Sequence, residues 1–244
     1  MSENDSNIRA VERAIQILRC FKQEKLELTL TEIATETDLP RSTTSRILST
    51  LEKHRFLARN EDNQKYYLGA EMARLGVLCY SNLDYRKIAL PFMYELRDLY
   101  NESVSLYIAE GGQRVCIERV ESTHSLRRVI NIGDQLPLTL GASGRLLLAY
   151  MEKERIETIV GKDPSVRLED LEKLKRAGYT ISKGERETGI TSIAAPIFSW
   201  QKQVVAALTI SGPSERFKEE EIPARVQMVQ HYAKLISHAL GCYQ

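Results

Sequence analysis

The sequence has few cysteines, and they are widely scattered. Cys20, Cys79, Cys116 and Cys242 form no closely spaced pair. Metal knuckles need paired cysteines and disulfide-stabilised scaffolds need a dense framework of them, so both classes are excluded. The four thiols are expected to be buried and reduced.

Long apolar runs are also missing. No stretch approaches the roughly 18 residues that a membrane-spanning helix needs, and the polar start MSENDSN does not resemble a signal peptide. Residues 1–7 are expected to form a disordered tail. The protein is therefore expected to be soluble and cytoplasmic, with no membrane partner.

An excess of charge of either sign is missing too. The chain of 244 residues has a formal net charge of +1, so its bulk charge gives no argument for binding nucleic acid. Any basic surface must be local. The length suits two domains, and 43% hydrophobic with 27% charged residues indicates globular domains rather than disorder.

Known catalytic and cofactor-binding motifs are also missing. The chain has no HExxH, Walker loop or GxGxxG. The segment GASGR at 141–145 superficially resembles a nucleophile elbow, but Arg145 stands where that motif needs glycine. His231 and His238 lie on one side of a predicted helix, which is more often a surface or an interface than a catalytic base. We expect no enzyme, no cofactor and no metal site.

The first part of the chain shows helical periodicity followed by a hairpin pattern. Thr29 or Thr31 caps the second helix, and with Thr29 the capping box would include Glu32. Pro40 ends that helix. The predicted elements are helices over 8–22, about 30–38 and 41–54, and strands over 56–59 and 64–68.

The third predicted helix has two contrasting faces. On a helical wheel its inner face carries Thr44, Ile47, Leu48 and Leu51. Its outer face has hydroxyls and cations without a carboxylate: Ser42, Ser45, Arg46, Ser49 and Lys53. Short hydroxyls permit close approach to DNA, and arginine can read guanine, so this face suits a major groove.

The basic charge is concentrated around this helix. Residues 39–59 contain five cations and one acid, a local charge of +4: Arg41, Arg46, Lys53, Arg55 and Arg59 against Glu52. The following hairpin would act as a wing, with Arg59 and Lys65 near the phosphates. The alternatives are a merely solvated face of a three-helix bundle and a domain that contacts protein.

Beyond residue 70 the pattern is that of a linker helix and an α+β domain. The predicted helices cover 70–83, 84–101, 141–151, 154–160, 168–177 and 218–240, and the predicted strands cover 104–109, 114–120, 126–132, 192–198 and 204–211.

A candidate ligand pocket follows from small and hydroxyl residues in this second part. The small residues at 141–144 would leave backbone N–H groups open to an anion where a helix begins. Thr209 and Ser211 share one face of an apolar strand, and Ser192 lies on its partner. Isolated polar groups on an apolar sheet are typical of a small-molecule pocket. Turn chemistry and edge-strand solvation would explain the same residues equally well.

The chain resembles the IclR-type bacterial transcriptional regulators over residues 8–240. The matching segments are IRAVERAIQILRCF, LTLTEIATETDLPRSTTSRILSTLEKHRFL, KYYLG, LPLTLGASGRLLLAY, GYTISKGERETGITSIAAPIF and VVAALTISGPSERF. The resemblance implies a winged helix-turn-helix DNA-binding domain over 8–69, a linker helix over 70–83, and a GAF-like effector-binding and oligomerisation domain over 84–244.

The implied function is a sequence-specific transcriptional regulator whose operator binding is controlled by a small metabolite of the organic-acid class. A metabolite-binding signalling module that acts through protein partners is the alternative. The residues expected to contact double-stranded operator DNA are Thr31, Arg41, Ser42, Thr43, Ser45, Arg46, Ser49, Lys53, Arg59 and Lys65.

The resemblance also implies a set of effector-binding residues. They are Ser125, Arg128, Leu136, Ala142, Ser143, Ser182, Ile190, Ser192, Thr209 and Ser211. Three depart from relatives: Ser182 replaces an acid, Ser192 a thiol and Arg128 an apolar wall residue. A different ligand is therefore expected, and an inward Arg128 would favour a carboxylate or phosphate.

Apolar stripes on helices 8–22 and 70–83 exceed what a small winged domain can bury. They predict a homodimer, which also suits an operator with two half-sites. A homotetramer formed through the second domain is a further possibility. The effector, the operator sequence and the choice between repressor and activator stay open.

Overall fold

A computed structural model describes residues 8–22, 24–81, 84–161, 163 and 166–243. The predicted tail 1–7 and the end of the predicted linker helix, 82–83, lie outside the described residues. So does the side chain of Cys79. The chain divides into two compact units, Met1–Leu83 and Asp84–Gln244. Within the described parts, no helix combines the length and apolar character needed to cross a membrane.

The first unit contains the predicted helices and hairpin, with ends that differ by a few residues. Its elements are α1 (Arg9–Arg19), α2 (Leu30–Thr37), α3 (Arg41–Lys53), β1 (Leu57–Arg59), β2 (Tyr66–Leu68) and α4 (Ala70–Ser81). Its core joins residues of α1, α2, α3 and the hairpin with two residues from the segment between α1 and α2: Ile17, Cys20, Leu28, Ile33, Leu48, Leu57 and Tyr66.

α2 is capped at its start by local hydrogen bonds, and a left-handed residue followed by a proline leads from its end into α3. Thr29 caps α2 in a capping box: its hydroxyl accepts from the Glu32 amide at 3.2 Å, and the Glu32 carboxylate accepts from the Thr29 amide at 2.7 Å. Asp38 ends α2 in the left-handed region with φ 53°. Pro40 precedes the first residue of α3, where a fixed φ suits helix entry.

The hairpin gains a third short partner from the segment before α2. Leu28 and Tyr66 exchange two backbone hydrogen bonds, of 2.9 and 2.7 Å. Glu27 also accepts hydrogen bonds from the side-chain amides of Asn60 and Asn63 in the hairpin turn. These bonds fix the hairpin relative to the helices that precede it.

The second unit is built on one antiparallel sheet. Its strands are β3 (Ser103–Glu110), β4 (Gln113–Val120), β5 (Gln135–Pro137), β6 (Thr180–Lys183), β7 (Ile190–Phe198) and β8 (Val204–Pro213), in the spatial order β5-β4-β3-β8-β7-β6. Its helices are α5 (Tyr85–Tyr100), α6 (Ala142–Ala149), α7 (Lys153–Val160), α8 (Leu168–Ala177) and α9 (Ile222–Ala239).

Helices cover both faces of this sheet. α5 and α9 pack on one side, and α6 contacts β3, β4, β6, β7 and β8 on the other. The core on the α6 side includes sheet residues Tyr107, Ala194 and Ala207 together with Leu146 of α6. A helix buried between the sheet and α8 can hold its N-terminus rigidly over the sheet.

The predicted strand over 126–132 is wrong. Leu126, Val129 and Ile132 are spaced by three and are 70%, 61% and 57% exposed, so the segment lacks the alternation of a half-buried strand. β4 pairs with β5 instead. The loop is held by its carbonyls, since the Arg119 guanidinium donates to the Arg128 and Ile130 oxygens.

Three other features of the secondary structure differ from the prediction. The short strand β6, missing from the sequence-based assignment, pairs with β7. Pro91 lies inside α5 rather than at its start or at a break. The last helix starts at Ile222, because two 3-10 turns, Ser214–Arg216 and Glu219–Glu221, precede it.

Candidate nucleic-acid interface and ligand pocket

The outer face of α3 is polar and exposed, whereas its inner face is buried. Thr44 and Leu48 are fully buried, and the Thr44 hydroxyl donates to the Pro40 carbonyl at 3.2 Å. Six residues of the predicted DNA-contacting set are exposed on this helix, and Thr43 is half-buried: Arg41, Ser42, Ser45, Arg46, Ser49 and Lys53. The arrangement matches the predicted two-faced helix.

Three cations of this surface have no counterion among the described residues. Among the described residues, no carboxylate lies within the 4.0 Å ion-pair distance of Arg41, Arg46 or Lys53. In contrast, Lys22, after the end of α1, pairs with Glu36 of α2 at 3.0 Å. Unpaired cations on an exposed helix are available to phosphate groups.

The hairpin contributes two more cations. Arg59 is exposed, donates to the Gln64 carbonyl at 3.3 Å and lies 5.3 Å from the Tyr66 ring centroid. Lys65 is half-buried at the end of the turn, where its amide donates to Asn63 Oδ1 at 2.9 Å. Thr31 is exposed in the first turn of α2. The structure thus places all ten predicted contacts on α2, α3 or the hairpin of one unit.

In the second unit, the sheet face under α6 carries rows of buried hydroxyls. The strand register aligns two rows across four strands: Ser182, Ser192, Ser211 and Ser103, then Thr180, Ala194, Thr209 and Ser105. Ala194 belongs to the core cluster that contains α6, so both rows face that helix. Such a concentration of hydroxyls on a buried sheet face favours a polar ligand over simple core packing.

The N-terminus of α6 lies over these rows because two glycines allow it. Gly141 has φ +74°, and a Cβ there would lie 3.1 Å from the Arg114 guanidinium. A Cβ at Gly144 would lie 2.8 Å from the Leu138 carbonyl oxygen. The two glycines let α6 begin close to both the sheet and the chain that precedes it.

A small cavity of about 10 Å³ lies between this helix start, the hydroxyl rows and the loop 184–189. That volume holds about one water molecule. Seven of the ten predicted effector-binding residues line it: Arg128, Ala142, Ser143, Ser182, Ile190, Ser192 and Thr209. The Arg128 side chain therefore faces inward, the orientation that the sequence alone had left open.

Three predicted residues do not line the cavity. Ser125 is exposed in the loop after β4, Leu136 is buried in the core on β5, and Ser211 is buried beside Ser192. The loop brings in Arg128 and leaves Ser125 in solvent.

Two buried arginines dominate the cavity. Arg114 is 3% exposed, and its Nη1 donates to Ser143 Oγ at 2.6 Å. Arg128 is 8% exposed, and its Nη1 donates to Ser192 Oγ at 3.1 Å. The Nε atoms of both arginines and the Thr209 hydroxyl have no hydrogen-bond partner among the described residues.

The environment of Arg114 is unfavourable for a charge. Burial lowers the pKa of its guanidinium to about 10, and the positive charges of Arg128 and Arg186 act in the same direction. Its main compensation is the Tyr107 ring, whose centroid lies 5.3 Å from the guanidinium carbon. The sequence-based prediction missed Arg114, although alternation from the buried Cys116 on β4 would have put it on the same face.

The loop 184–189 closes the cavity with two glutamates. Glu185 accepts from the Gly141 amide at 3.1 Å and pairs with Arg145 at 3.0 Å. Glu187 lies 3.5 Å from Arg128 and 3.4 Å from Arg186. The loop therefore forms a cover that carries two carboxylates and one guanidinium, opposite the cationic floor of Arg114 and Arg128.

Comparisons with known proteins identify both units. Residues 10–61 match the IclR helix-turn-helix domain, and residues 77–238 match the bacterial transcriptional regulator IclR C-terminal domain.

Relatives match over nearly the whole chain. The HTH-type transcriptional regulator KipR of Bacillus subtilis (strain 168) is 32% identical over 96% of this chain and 97% of its own length. The HTH-type transcriptional repressor AllR of Escherichia coli (strain K12) is 31% identical over 95% of this chain and 90% of its own. The crystal structure of Pseudomonas aeruginosa HmgR matches with a TM-score of 0.85 and 25% identity, over 96% of this chain and 98% of that one.

These matches confirm the fold and the function inferred from the resemblance. The N-terminal unit carries the DNA-binding helix-turn-helix, and the C-terminal unit carries the effector-binding domain. The chain belongs to the IclR family of bacterial transcriptional regulators.

Proposed function

We propose that this regulator reads its operator through the outer face of α3 and the hairpin, and that a small organic anion in the cavity under α6 controls this binding. The row of exposed, counterion-free cations and hydroxyls on α3 carries the proposal for DNA. In it, α3 enters the major groove, where Arg46 reads a base edge and Ser42 approaches closely, while Arg59 and Lys65 contact phosphates.

In this proposal each of the two units has its own role. Residues 8–69 bind DNA, the helix 70–83 links the units, and residues 84–244 bind the effector and take part in oligomerisation. The protein acts in the cytoplasm as a homodimer or a homotetramer. It acts by binding DNA and a ligand rather than by catalysis, in keeping with relatives that are transcriptional regulators.

The DNA proposal is tested by selecting binding sites from fragmented genomic DNA with the full-length protein, and then measuring affinity by fluorescence anisotropy. Arg46→Ala should lower affinity for the selected site by about 1–3 kcal/mol, because a base-reading arginine is lost. Lys65→Ala should weaken binding to selected and random DNA alike and reduce the slope of log K against log salt by about one. Arg176→Ala, at an exposed arginine of α8, is the matched control.

Two outcomes would contradict this assignment. Normal binding of the selected site by Arg46→Ala would show that α3 is not the reading helix. A failure to enrich any DNA, with binding that does not depend on salt, would favour a signalling module that acts through a protein partner.

A further inference from the structure

The cavity under α6 also indicates what kind of anion it takes. We propose that the effector is a small molecule with two separate acid groups, a dicarboxylate, bound at one end by Arg114 and Ser143 and at the other by Arg128 and Ser192. This assignment rests on the proposed effector function of the cavity and specifies its ligand class.

The charges around the cavity are unbalanced by two. Three arginines, Arg114, Arg128 and Arg186, and two glutamates, Glu185 and Glu187, line it, and a fourth arginine, Arg145, lies outside the lining but pairs with Glu185. Four positive charges less two negative charges leave +2. A bound dianion makes the site neutral, whereas a monoanion leaves one buried cation uncompensated, which is costly in a site shielded from water.

Each buried arginine has a free edge for a carboxylate. Arg114 and Arg128 both use Nη1 to donate to a serine, and both leave Nε without a partner. A carboxylate accepts two parallel hydrogen bonds from one guanidinium. Each arginine–serine pair can therefore hold one carboxylate. The Thr209 hydroxyl on β8, which has no hydrogen-bond partner among the described residues, is an additional donor.

The glutamates of the loop 184–189 act as internal substitutes for ligand carboxylates. Glu187 already lies against Arg128, at a long 3.5 Å, and its side chain is 39% exposed. The loop is bounded by Gly184 and Gly189, both with positive φ. Because the free volume is only about 10 Å³, a ligand must move this cover, and its carboxylate then replaces Glu187 at Arg128.

The test is isothermal titration calorimetry of the full-length protein with two matched series. The dicarboxylates are malonate, succinate, glutarate and adipate, and the monocarboxylates are propionate, butyrate, valerate and caproate. At least one dicarboxylate should bind about tenfold or more tightly than the monocarboxylate of equal length, because it forms a second charge-assisted pair. Inorganic phosphate serves as a dianion with a single group and should bind weakly.

Arginine variants test whether Arg114 and Arg128 each bind one carboxylate of the ligand. Arg114→Gln and Arg128→Gln should each reduce the dicarboxylate preference to about twofold or less, while Arg176→Gln on α8 should leave it unchanged. Glu187→Gln should strengthen dicarboxylate binding several-fold, because an internal competitor loses its charge. This gain of affinity also keeps the test valid should Arg114→Gln fail to fold.

The results separate this inference from the proposed function. Equal affinity for both series, tighter binding of phosphate, or no binding of any dicarboxylate would overturn the two-acid assignment. In each of these cases the operator measurements with Arg46→Ala still decide the DNA-binding proposal independently. Binding of a monocarboxylate alone would retain the organic-anion effector and reject the dianion.

Discussion

At the scale of single residues, Arg114, a buried arginine with no ion pair among the described residues, is the feature that separates function from stability. A desolvated, unpaired charge opposes folding, so evolution of the fold alone would favour an apolar side chain at such a position. Arg114 makes one hydrogen bond to Ser143 and stacks near Tyr107, but has no ion pair among the described residues. Its presence is best explained by a ligand.

This reasoning predicts that Arg114→Met stabilises the ligand-free protein. The folded-state pKa of Arg114, about 10, lies well below the ordinary value of an arginine because the guanidinium is buried, so folding disfavours the protonated form at every pH below about 10. Replacing the guanidinium should raise the free energy of unfolding at pH 7 by about 1–3 kcal/mol. The measurement is the midpoint of the second unit's thermal transition by calorimetry.

Two controls make that prediction specific. Arg176→Met replaces an exposed arginine and should leave the midpoint nearly unchanged. Above about pH 10 the gain from Arg114→Met should shrink, because the native protein can then lose the buried proton. A lower midpoint for Arg114→Met at pH 7 would mean that the Ser143 and Tyr107 contacts outweigh the cost of burial.

At the scale of elements, short helices depend on their ends. α2 has eight residues and only two buried side chains, Ile33 and Ala34, so tertiary packing alone holds it weakly. The Thr29–Glu32 capping box satisfies amides at its start, and Asp38 in the left-handed region closes its end. The position of α3 relative to α2 follows from these two ends.

We therefore expect Thr29→Ala to destabilise α2 by about 1 kcal/mol, the usual cost of losing such a cap. The readout is hydrogen exchange of the α2 amides in the full-length protein, which reports this helix without requiring two-state unfolding of the whole chain. Thr35→Ala removes an exposed hydroxyl that only donates to the Thr31 carbonyl and serves as the control. Equal exchange in both variants would contradict a role for the cap.

At the scale of the whole molecule, exposed apolar residues indicate self-association. Val11 and Ile15 on α1 are 52% and 43% exposed, and Leu75 on α4 is 38% exposed. Val11 and Ile15 are one helical turn apart and share one face of α1, and exposed apolar stripes of this kind are typical of an interface. An operator read by a single helix spans only a few base pairs, so a two-fold dimer would double the length read.

Light scattering coupled to size exclusion should therefore give at least a dimer at micromolar concentration. Ile15→Glu and Leu75→Glu should each shift the population towards the monomer, because they bury a charge in the interface. Leu168→Glu changes an equally exposed residue at the start of α8 and should not alter the mass. A monomeric wild-type protein would reject the interface.

Much of the fold could be read from the sequence because its signals are local. The capping motif at Thr29, Pro40 and the helical spacing in α3 act within a few residues of each other. The rows of alternating residues on β7 and β8 are equally local. Where the signal was weak, the prediction was wrong or missing: the apolar loop 126–132 was assigned as a strand, and the four-residue β6 was missed.

The sequence by itself determined the helix-turn-helix with its hairpin, the two-faced α3, the family, and most residues of the pocket. Only the tertiary structure decided that Arg128 points inward, that Ser125 stays outside, and that Arg114 joins the site from β4. The physical reason is distance along the chain. Arg114, Ser143 and Glu185 meet only because strand pairing and the close approach of α6 bring together segments whose local patterns contain no information about one another.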